Sequence, residues 1–478
     1  MNYGNWQRLR SALMAGTLLA LPTPALAQGE GDAIAVLRAE LAVLRAEVAE
    51  LRRVQAATTP ANAAVPANPV PLASPPLAVA TPVPAPAPAP AAAPPKKAWY
   101  DRIQVRGYVQ MRVNEVLSDR AAVPAGISRL RSVHDSAVGE PGNFTLRRAR
   151  LVVQGDVSDR FSIYMQGDLA AAVNAQSNGE RREHFFQLRD AYGDVHFADR
   201  TVKVRLGQSK VPFGWENLQS SSNRLSLDRA DAANSAVPGE RDLGVVVYYT
   251  PPAVQRVWDR LAKDGQKLFG NYGAFGVGIF NGQGINRTEK NDGLMKVALA
   301  TWPFELDGLG GAFRGQVLEL GVQGMLNRIQ PELRSGGESA ASFADNRVNL
   351  HAVLYPAPFG LQAEWTFGRS AEWSPARLAI GEGNLRGGYV QAMYRIKDSA
   401  VGPIMPYARV QTYRGGWKAA TNAPRISTDE IELGVEWQPL KEVELTMAYA
   451  RMKRAEADER RTGRAVGDVL RAQVQFSY

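Results

Sequence analysis

Segments in which apolar and polar side chains alternate dominate the chain from Ile103 to its C-terminus. In the first segment, Val105, Val109 and Met111 alternate with polar or cationic residues, and the closing LRAQVQFSY follows the same pattern. Successive side chains of a β-strand point to opposite faces of its sheet, so a period of two predicts strands with one apolar and one polar face. The alternation therefore predicts an all-β fold over most of the chain.

The alternating segments predict sixteen strands. We place them at 102–116, 144–157, 160–171, 184–197, 201–210, 243–250, 271–280, 294–302, 314–327, 346–355, 360–369, 387–397, 404–414, 428–438, 442–453 and 467–478. A closed antiparallel barrel made by a single bacterial chain requires an even number of strands. A soluble β-sandwich or propeller alternates in the same way, so the strands alone leave both architectures open.

The connections between the predicted strands mostly alternate between short and long. Short ones lie at 158–159, 198–200, 356–359 and 439–441, and long polar ones at 117–143, 211–242, 328–345 and 454–466. Membrane barrels have this rhythm, with short periplasmic turns, long external loops and periplasmic termini. Residues 251–270 break the rhythm. Because Val254, Val257, Trp258 and Leu261 have helical spacing, we predict a short amphipathic helix there.

The first 27 residues are organised like a secretory signal peptide. Arg8 and Arg10 precede the apolar stretch 12–21, and Ala25-Leu26-Ala27 supplies an A-x-A cleavage site. The apolar stretch is too short to cross a bilayer as a helix. We therefore expect residues 1–27 to be removed rather than kept as an anchor.

Two further segments precede the barrel region. Residues 28–57 contain an apolar seam with alternating spacings of three and four: Ile34, Leu37, Leu41, Leu44, Val48 and Leu51. This is an a/d heptad pattern, which predicts a short coiled-coil helix that associates with other copies of itself. A surface helix packed on the barrel is the alternative, although it would need a wider apolar stripe. Residues 58–98 are almost entirely Ala, Pro, Val and Asn, which predicts a disordered linker that leans to polyproline II.

Export, the terminal aromatic strand and rim aromatics such as Trp365 and Trp437 favour a membrane barrel over a soluble all-β fold. The mean hydropathy is -0.24, and no apolar run outside the N-terminus could form a membrane helix. We therefore predict a 16-stranded antiparallel transmembrane β-barrel over residues 99–478. It would lie in the bacterial outer membrane, in contact with its lipid, with the N-terminal segment in the periplasm.

Cationic side chains are predicted on the polar face of the early strands. The candidates are Arg106 and Arg112 on the first strand, Arg148 and Arg150 on the second, and Lys203 and Arg205 on the fifth, with Lys296, Arg347, Arg395, Arg409 and Arg471 as further ones. Arginine and lysine lining a pore select for anions. The net charge of +9 agrees with an electropositive pore and, in an exported barrel, does not call for a nucleic-acid partner. The alternative is that these cations pair with lumen acids such as Asp168, Glu319, Glu364, Glu432 and Glu436.

The third long loop, residues 211–242, is predicted to fold inward and narrow the lumen. Structureless loops of this length are usually functional, and a sixteen-stranded barrel is otherwise wide enough to hold an aqueous channel. The loop would place Arg224, Arg229 and Arg241 at the constriction, mixed with acidic residues. The alternative is a loop that stays outside the barrel.

Several stretches resemble the phosphate-selective porin O and P family. They include FTLRRARLVVQGDV (144–157), LRDAYGDVHF (188–197), VRLGQSKVPFGWENLQSS (204–221), LDRADAANSAVPGERDLGV (227–245) and YGAFGVGIFNG (272–282). The resemblance covers most of residues 100–478. It implies a homotrimer of sixteen-stranded barrels, an inward third loop and an arginine-lined path for small anionic solutes such as phosphate or polyphosphate.

Other classes of function have little support in the sequence. There is no cysteine, the four histidines show no metal-ligand spacing, and no nucleophile is placed near His184 or His196. We therefore expect no enzyme, no cofactor and no metal site. A general, weakly selective porin is the alternative function, with a coiled coil that also tethers the outer membrane to the cell wall.

Overall fold

The computed structural model describes residues 99–121, 130, 135, 138, 144–173, 182–287, 289, 291, 293–457 and 462–478. The predicted signal peptide (1–27), coiled-coil helix (28–57) and linker (58–98) lie outside the described residues. Within the described part, sixteen strands form one closed sheet, as predicted.

The first eight strands are β1 (Ile103–Ala121), β2 (Phe144–Ser158), β3 (Phe161–Val173), β4 (Arg182–Phe197), β5 (Val202–Lys210), β6 (Arg241–Tyr249), β7 (Phe275–Phe280) and β8 (Met295–Glu305). The last eight are β9 (Val317–Leu326), β10 (Asn346–Leu354), β11 (Phe359–Ser374), β12 (Ala379–Tyr394), β13 (Ile404–Gly416), β14 (Arg425–Leu440), β15 (Val443–Ala457) and β16 (Thr462–Ser477). A small sheet in the β9–β10 connection pairs Arg328–Ile329 with Phe343–Ala344.

Each strand pairs antiparallel with its neighbours in sequence, and β1 closes the ring on β16. The closing register runs from Tyr108 opposite Ser477 to Ala121 opposite Ala465. Closure matters physically because it leaves no strand edge with unpaired backbone groups. The final alternating segment of the sequence is thus the strand that completes the barrel.

Helices occur in two of the connections. The β5–β6 connection contains α1 (Trp215–Leu218) and α2 (Asp231–Asn234), and the β6–β7 connection contains α3 (Pro252–Lys263). The helix predicted within 251–270 is therefore confirmed. Short 3-10 turns lie at Trp99–Arg102, Pro238–Glu240, Asp307–Leu309 and Gly311–Phe313. No helix among the described residues is both long enough and apolar enough to cross a membrane.

The barrel has a short-turn end and a long-loop end. Both termini of the sheet and the tight connections at 159–160, 198–201, 355–358 and 441–442 lie at the short-turn end. The strands extend further towards the long-loop end than predicted. β15 reaches Ala457 and β16 begins at Thr462, so the predicted 454–466 loop is mostly strand.

Apolar side chains on the outer face make the barrel surface suitable for lipid. On β2, Leu151 is 39% exposed, whereas Arg150 beside it is 4% exposed. Lys296 is a correction to the predicted inner face. It is exposed between Met295 and Val297, which are buried, so its side chain points outward. Alternation assigned Lys296 to the wrong face because the inner face of β8 is apolar.

The apolar inner face extends across several strands. Val246, Val297, Val317 and Val353 belong to one buried cluster with α3, which contributes Val254, Trp258 and Leu261. Burying this apolar surface stabilises the packing of α3 against the strands by roughly 25 cal/mol per Å² removed from water. The interior on the β6–β10 side thus contains a hydrophobic cluster, and polar side chains such as Glu319, Asn349 and His351 are buried on the same strands.

Candidate functional site

The predicted cations of β1, β2 and β5 lie on the inner face of the barrel. Arg112, Arg148, Arg150, Lys203 and Arg205 are all buried. Arg106 lies near the short-turn end, is exposed, and donates a hydrogen bond to Gln154 (3.1 Å). Strand alternation places most of these groups, because their neighbours in the strand face outward, whereas Arg148 lies between Arg147 and Ala149.

Several of these cations are neutralised by neighbouring acids. Arg150 Nε lies 2.8 Å from Asp168, and Arg205 makes two 2.8 Å hydrogen bonds to Asp194. The Arg205 guanidinium also stacks over the Tyr192 ring at 3.8 Å. Paired in this way, Arg150 and Arg205 hold the wall together and add little net charge to it.

Arg112 and Lys203 also have partners. Arg112 Nη1 lies 2.6 Å from Asp135 and 3.3 Å from Asp228. Lys203 donates hydrogen bonds to the backbone and side-chain oxygens of Asn271, at 2.8 and 2.7 Å. The predicted alternative of cation pairing therefore describes much of this wall. Of the acids proposed for it, Asp168 pairs with a strand cation, whereas Glu319 accepts hydrogen bonds from neutral groups.

The β5–β6 connection, residues 211–240, contacts inner-face side chains on opposite sides of the ring. Ser221 bonds Tyr108 of β1 (2.6 Å), and Glu216 makes two bonds to Arg409 of β13, at 2.7 and 3.1 Å. Leu227 O accepts a hydrogen bond from Arg112, and Ser235 accepts one from Arg347. Asp231 accepts a hydrogen bond from Thr428, and Trp215 donates one to Glu319. Almost all of the connection is buried.

The predicted loop cations occupy three different environments. Arg229 contacts Glu240 at 3.1 Å and Asn217 at 2.5 Å. Arg241 is the first residue of β6 rather than a loop residue, and it pairs with Asp190 and Glu240 at 3.0 and 2.6 Å. Arg224 is buried, and its Nε has no hydrogen-bond partner.

Two of the buried predicted cations have no direct carboxylate partner among the described residues. Arg148 donates to the neutral Gln110 at 2.8 Å, and Arg224 forms no ion pair with the described part of the chain. Arg147, Arg150 and Arg224 all lie close enough to repel the Arg148 charge. The structure thus brings Arg148 and Arg224 close together without a direct carboxylate partner for either, although Glu216, Asp228 and Glu240 lie near enough to attract Arg224.

Sequence reasoning missed Arg189, a further cation that lies near Arg150 and Arg241. Arg189 donates to Gln187 (2.8 Å) and to Gly239 O (3.2 Å), and it has no carboxylate partner among the described residues. It lies in a bulge of β4, where Gln166 faces Asp190 and Gly167 faces Leu188. A bulge redirects one side chain out of the alternating pattern, so alternation could not assign it.

Burial and charge shift the acid–base properties of the connection. Burial lowers the pKa of Arg224 below its ordinary value. Burial alone would raise the pKa of Glu216, but the charge and hydrogen bonds of Arg409 more than offset it, so this pKa lies below its ordinary value of 4.5. Glu216 is therefore an anionic anchor at neutral pH.

A closed sixteen-stranded antiparallel barrel with an apolar outer face and a charged polar interior defines a porin. A family model matches residues 125–478, which is well over half of the chain. The chain therefore belongs to the phosphate-selective porin O and P family, as its sequence predicted, and is an outer-membrane channel rather than an enzyme.

Solved structures of distant barrels resemble the fold. An anion-selective porin from Comamonas acidovorans is 11% identical, with a TM-score of 0.45 over 79% of this chain and 99% of that one. OprB of Pseudomonas putida at high pH is 10% identical, with a TM-score of 0.47 over 79% and 94%. The trimer form of Vibrio cholerae OmpT is 9% identical, with a TM-score of 0.45 over 79% and 99%. No curated protein sequence was found to match.

Proposed function

We propose that the channel gives passive diffusion to small anions, with phosphate or polyphosphate as the candidate physiological solutes. The observation that carries the proposal is that Arg148, Arg224 and Arg189 have no direct ion-pair partner among the described residues, on a wall where neighbouring cations are paired. Guanidinium groups stay charged and present a fork of donors that suits phosphate oxygens. The family name adds phosphate as a solute class.

In this proposal, residues 211–240 lie in the lumen and form its constriction. Their burial and their bonds to β1, β10, β13 and β14 support an inward position. The same segment carries Arg224, so the element that narrows the path also places a cation beside it. Ser220 and Ser222, which are half-buried in this segment, add hydroxyl donors near Arg224.

We further propose that the channel is a homotrimer whose short-turn end faces the periplasm. The family resemblance and the a/d seam in residues 28–57 support association of three chains. The short connections support the orientation, because bacterial outer-membrane barrels keep short turns on the periplasmic side. After cleavage at residue 27, the N-terminal segment would then be periplasmic.

The pairing of lumen cations favours a second candidate function. Because Arg112, Arg150, Arg205 and Arg241 all have acidic partners, the net charge of the wall is small. The protein would then be a general, weakly selective porin, and its coiled coil would also contact the cell wall. Reversal potentials near zero in a KCl gradient would favour this second candidate.

Removal of the two cations without an ion-pair partner, Arg148 and Arg224, tests the first candidate function. Replacing Arg148→Gln together with Arg224→Gln should lower the anion-to-cation permeability ratio, measured from reversal potentials in planar bilayers under KCl and phosphate gradients. Each charge lost near a permeating anion removes about 1 kcal/mol of attraction at 4 Å in water, or roughly a fivefold fall in local anion concentration.

The matched control removes a neutralised pair instead. Arg150→Gln together with Asp168→Asn deletes two buried charges of opposite sign and leaves the net charge of the lumen unchanged. We expect this variant to keep most of the anion preference. Equal selectivity in the wild type and the Arg148/Arg224 variant would show that these side chains do not line the path.

A further inference from the structure

The inner face of the barrel is unevenly accessible near its short-turn end. Gln154, Ser162, Tyr164 and Tyr192 on β2–β4 are half-buried, and Arg106 on β1 is exposed. Inner-face residues at the same end of the later strands are buried, and examples are Val317, Val353, Gln362, Glu436 and Thr446. Among the described residues, water therefore reaches the interior at this end along β1–β4.

The β6–β7 insertion, residues 250–274, accounts for this difference. Its helix α3 buries Val254, Trp258 and Leu261 against the inner faces of β8–β10. Trp258 Nε1 donates to Glu319 of β9 (2.9 Å), and Gln266 donates to Pro356 O in the β10–β11 turn (2.8 Å). The helix α3 and Gln266 are thus packed against and hydrogen-bonded to one side of the ring.

Ion pairs join Asp264 and Lys267 of the insertion to another part of the ring, near β12, β14 and β15. Asp264 pairs with Arg395 (2.7 Å) beyond β12, and Lys267 pairs with Glu436 of β14 (2.8 Å) and Glu444 of β15 (3.1 Å). The chain then returns to β5, where Asn271 accepts hydrogen bonds from Lys203. The insertion makes no hydrogen bond or ion pair to the described residues of β1–β3.

The insertion also contacts residues 211–240, the proposed constriction segment. Phe269 packs against Trp215 and Trp258 with ring centroids 6.1 and 5.3 Å apart. Gln219 and Asn223 donate hydrogen bonds to the backbone oxygens of Lys267 and Leu268, at 3.1 and 2.8 Å. The two segments therefore form one packed body. The insertion is bonded to β5, β9, β14 and β15, whereas residues 211–240 are also bonded to β1, β2, β13 and β16.

We propose that residues 250–274 seal the periplasmic mouth on the β5–β15 side, so that anions leave through an outlet lined by Arg106, Gln154, Ser162, Tyr164 and Tyr192. The proposal rests on the proposed diffusion function and on the periplasmic orientation of the short-turn end. The outlet presents a guanidinium, an amide and hydroxyl groups, which are donors that can accompany a partly dehydrated anion.

Single cysteines test the outlet directly, because the chain contains none of its own. Gln154→Cys and Ser162→Cys place a thiol in the outlet, and Gln362→Cys and Thr446→Cys place one on the sealed side at the same end. The full-length channel is treated with a membrane-impermeant, charged thiol reagent in planar bilayers. The outlet cysteines should react and lower the conductance, whereas the sealed-side cysteines should react at least about tenfold more slowly, since they are exposed only by local opening.

Replacing residues 252–270 by a short Gly-Ser turn is the complementary variant. It should raise the conductance and make the Gln362→Cys and Thr446→Cys thiols reactive. The point variants keep the insertion intact, so the proposal stays testable if the deletion fails to fold. Sealed-side cysteines that react as fast as the outlet cysteines, and that lower the conductance equally, would overturn it.

The failure of this proposal can be distinguished from failure of the proposed function. Reversal potentials of the unmodified channel report anion preference regardless of where the outlet lies. An anion-selective channel with reactive sealed-side cysteines would retain the proposed function and lose the outlet. A non-selective channel with the expected cysteine pattern would retain the outlet and lose the anion assignment.

Discussion

At the scale of single residues, the interior is organised by buried charges whose partners differ in kind. Glu319 is fully buried on β9 and accepts hydrogen bonds from Trp215, Trp258, Tyr355 and Thr301, all at 2.9–3.0 Å. It joins the constriction segment, the insertion helix and the barrel wall. A carboxylate suits this position because both of its oxygens accept hydrogen bonds and neither donates.

Glu319→Gln should destabilise the barrel. The new amide nitrogen would face donors in place of an acceptor, which costs about 1–3 kcal/mol per unsatisfied buried group. The free energy of unfolding, from urea titration in detergent micelles followed by tryptophan fluorescence, measures the effect. Glu305→Gln is the control, since its pair with Arg260 is half-exposed and should contribute less than about 1 kcal/mol. Equal losses in both variants would contradict the role given to Glu319.

At the scale of elements, the constriction segment depends on a few ionic anchors. The Glu216–Arg409 pair ties α1 to β13, and both side chains are buried. Residues 211–240 contain two single-turn α-helices and one 3-10 turn, which cannot hold their own shape by backbone hydrogen bonds alone. The segment therefore takes its conformation from the barrel wall that it contacts.

Acidification should loosen this segment. Because the pKa of Glu216 is lowered in the folded state, the pair stabilises the fold above the ordinary value of 4.5, and this contribution is lost as pH falls through the lowered pKa. Single-channel recordings should show open-channel noise that increases only below pH 4.5. Glu216→Gln should be noisy already at neutral pH, and noise that increases above pH 4.5 in the wild type would exclude Glu216 as its source.

At the scale of the whole molecule, one set of contacts closes the sheet and a different set fills its interior. The ring closes through β1 and β16, and a buried apolar cluster lies beside β6–β10 together with buried polar side chains such as Glu319. A porin built in this way does not need a uniformly polar lumen. In the proposed arrangement, anions pass where residues 211–240 and 250–274 leave the interior open.

The N-terminal seam gives a prediction at the same scale. Deleting residues 28–57 should lower the temperature at which the proposed trimer dissociates in detergent, because about three heptads per chain would no longer contribute association free energy. Heat-dependent gel migration and native mass spectrometry measure it. Scrambling the a/d positions of the same segment keeps its length and composition as a control. A deletion variant that keeps full heat resistance would show that barrel contacts alone hold the trimer.

The sequence alone determined the class of fold and much of its chemistry. A period of two is a local property of the strands, so sixteen strands and the inward side chains of Arg112, Arg148, Arg150, Lys203 and Arg205 could be predicted from it. Helical spacing is equally local, and it placed α3 correctly.

Only the tertiary structure decided which cations are neutralised, because ion pairs join residues far apart in the chain. Arg409 pairs with Glu216 and Arg471 pairs with Asp228, because the β5–β6 connection folds into contact with the barrel wall. Local exceptions such as the β4 bulge at Arg189 and the apolar inner face of β8, which turns Lys296 outward, also depend on what each strand packs against. Alternation therefore assigns faces, whereas packing between distant segments assigns partners.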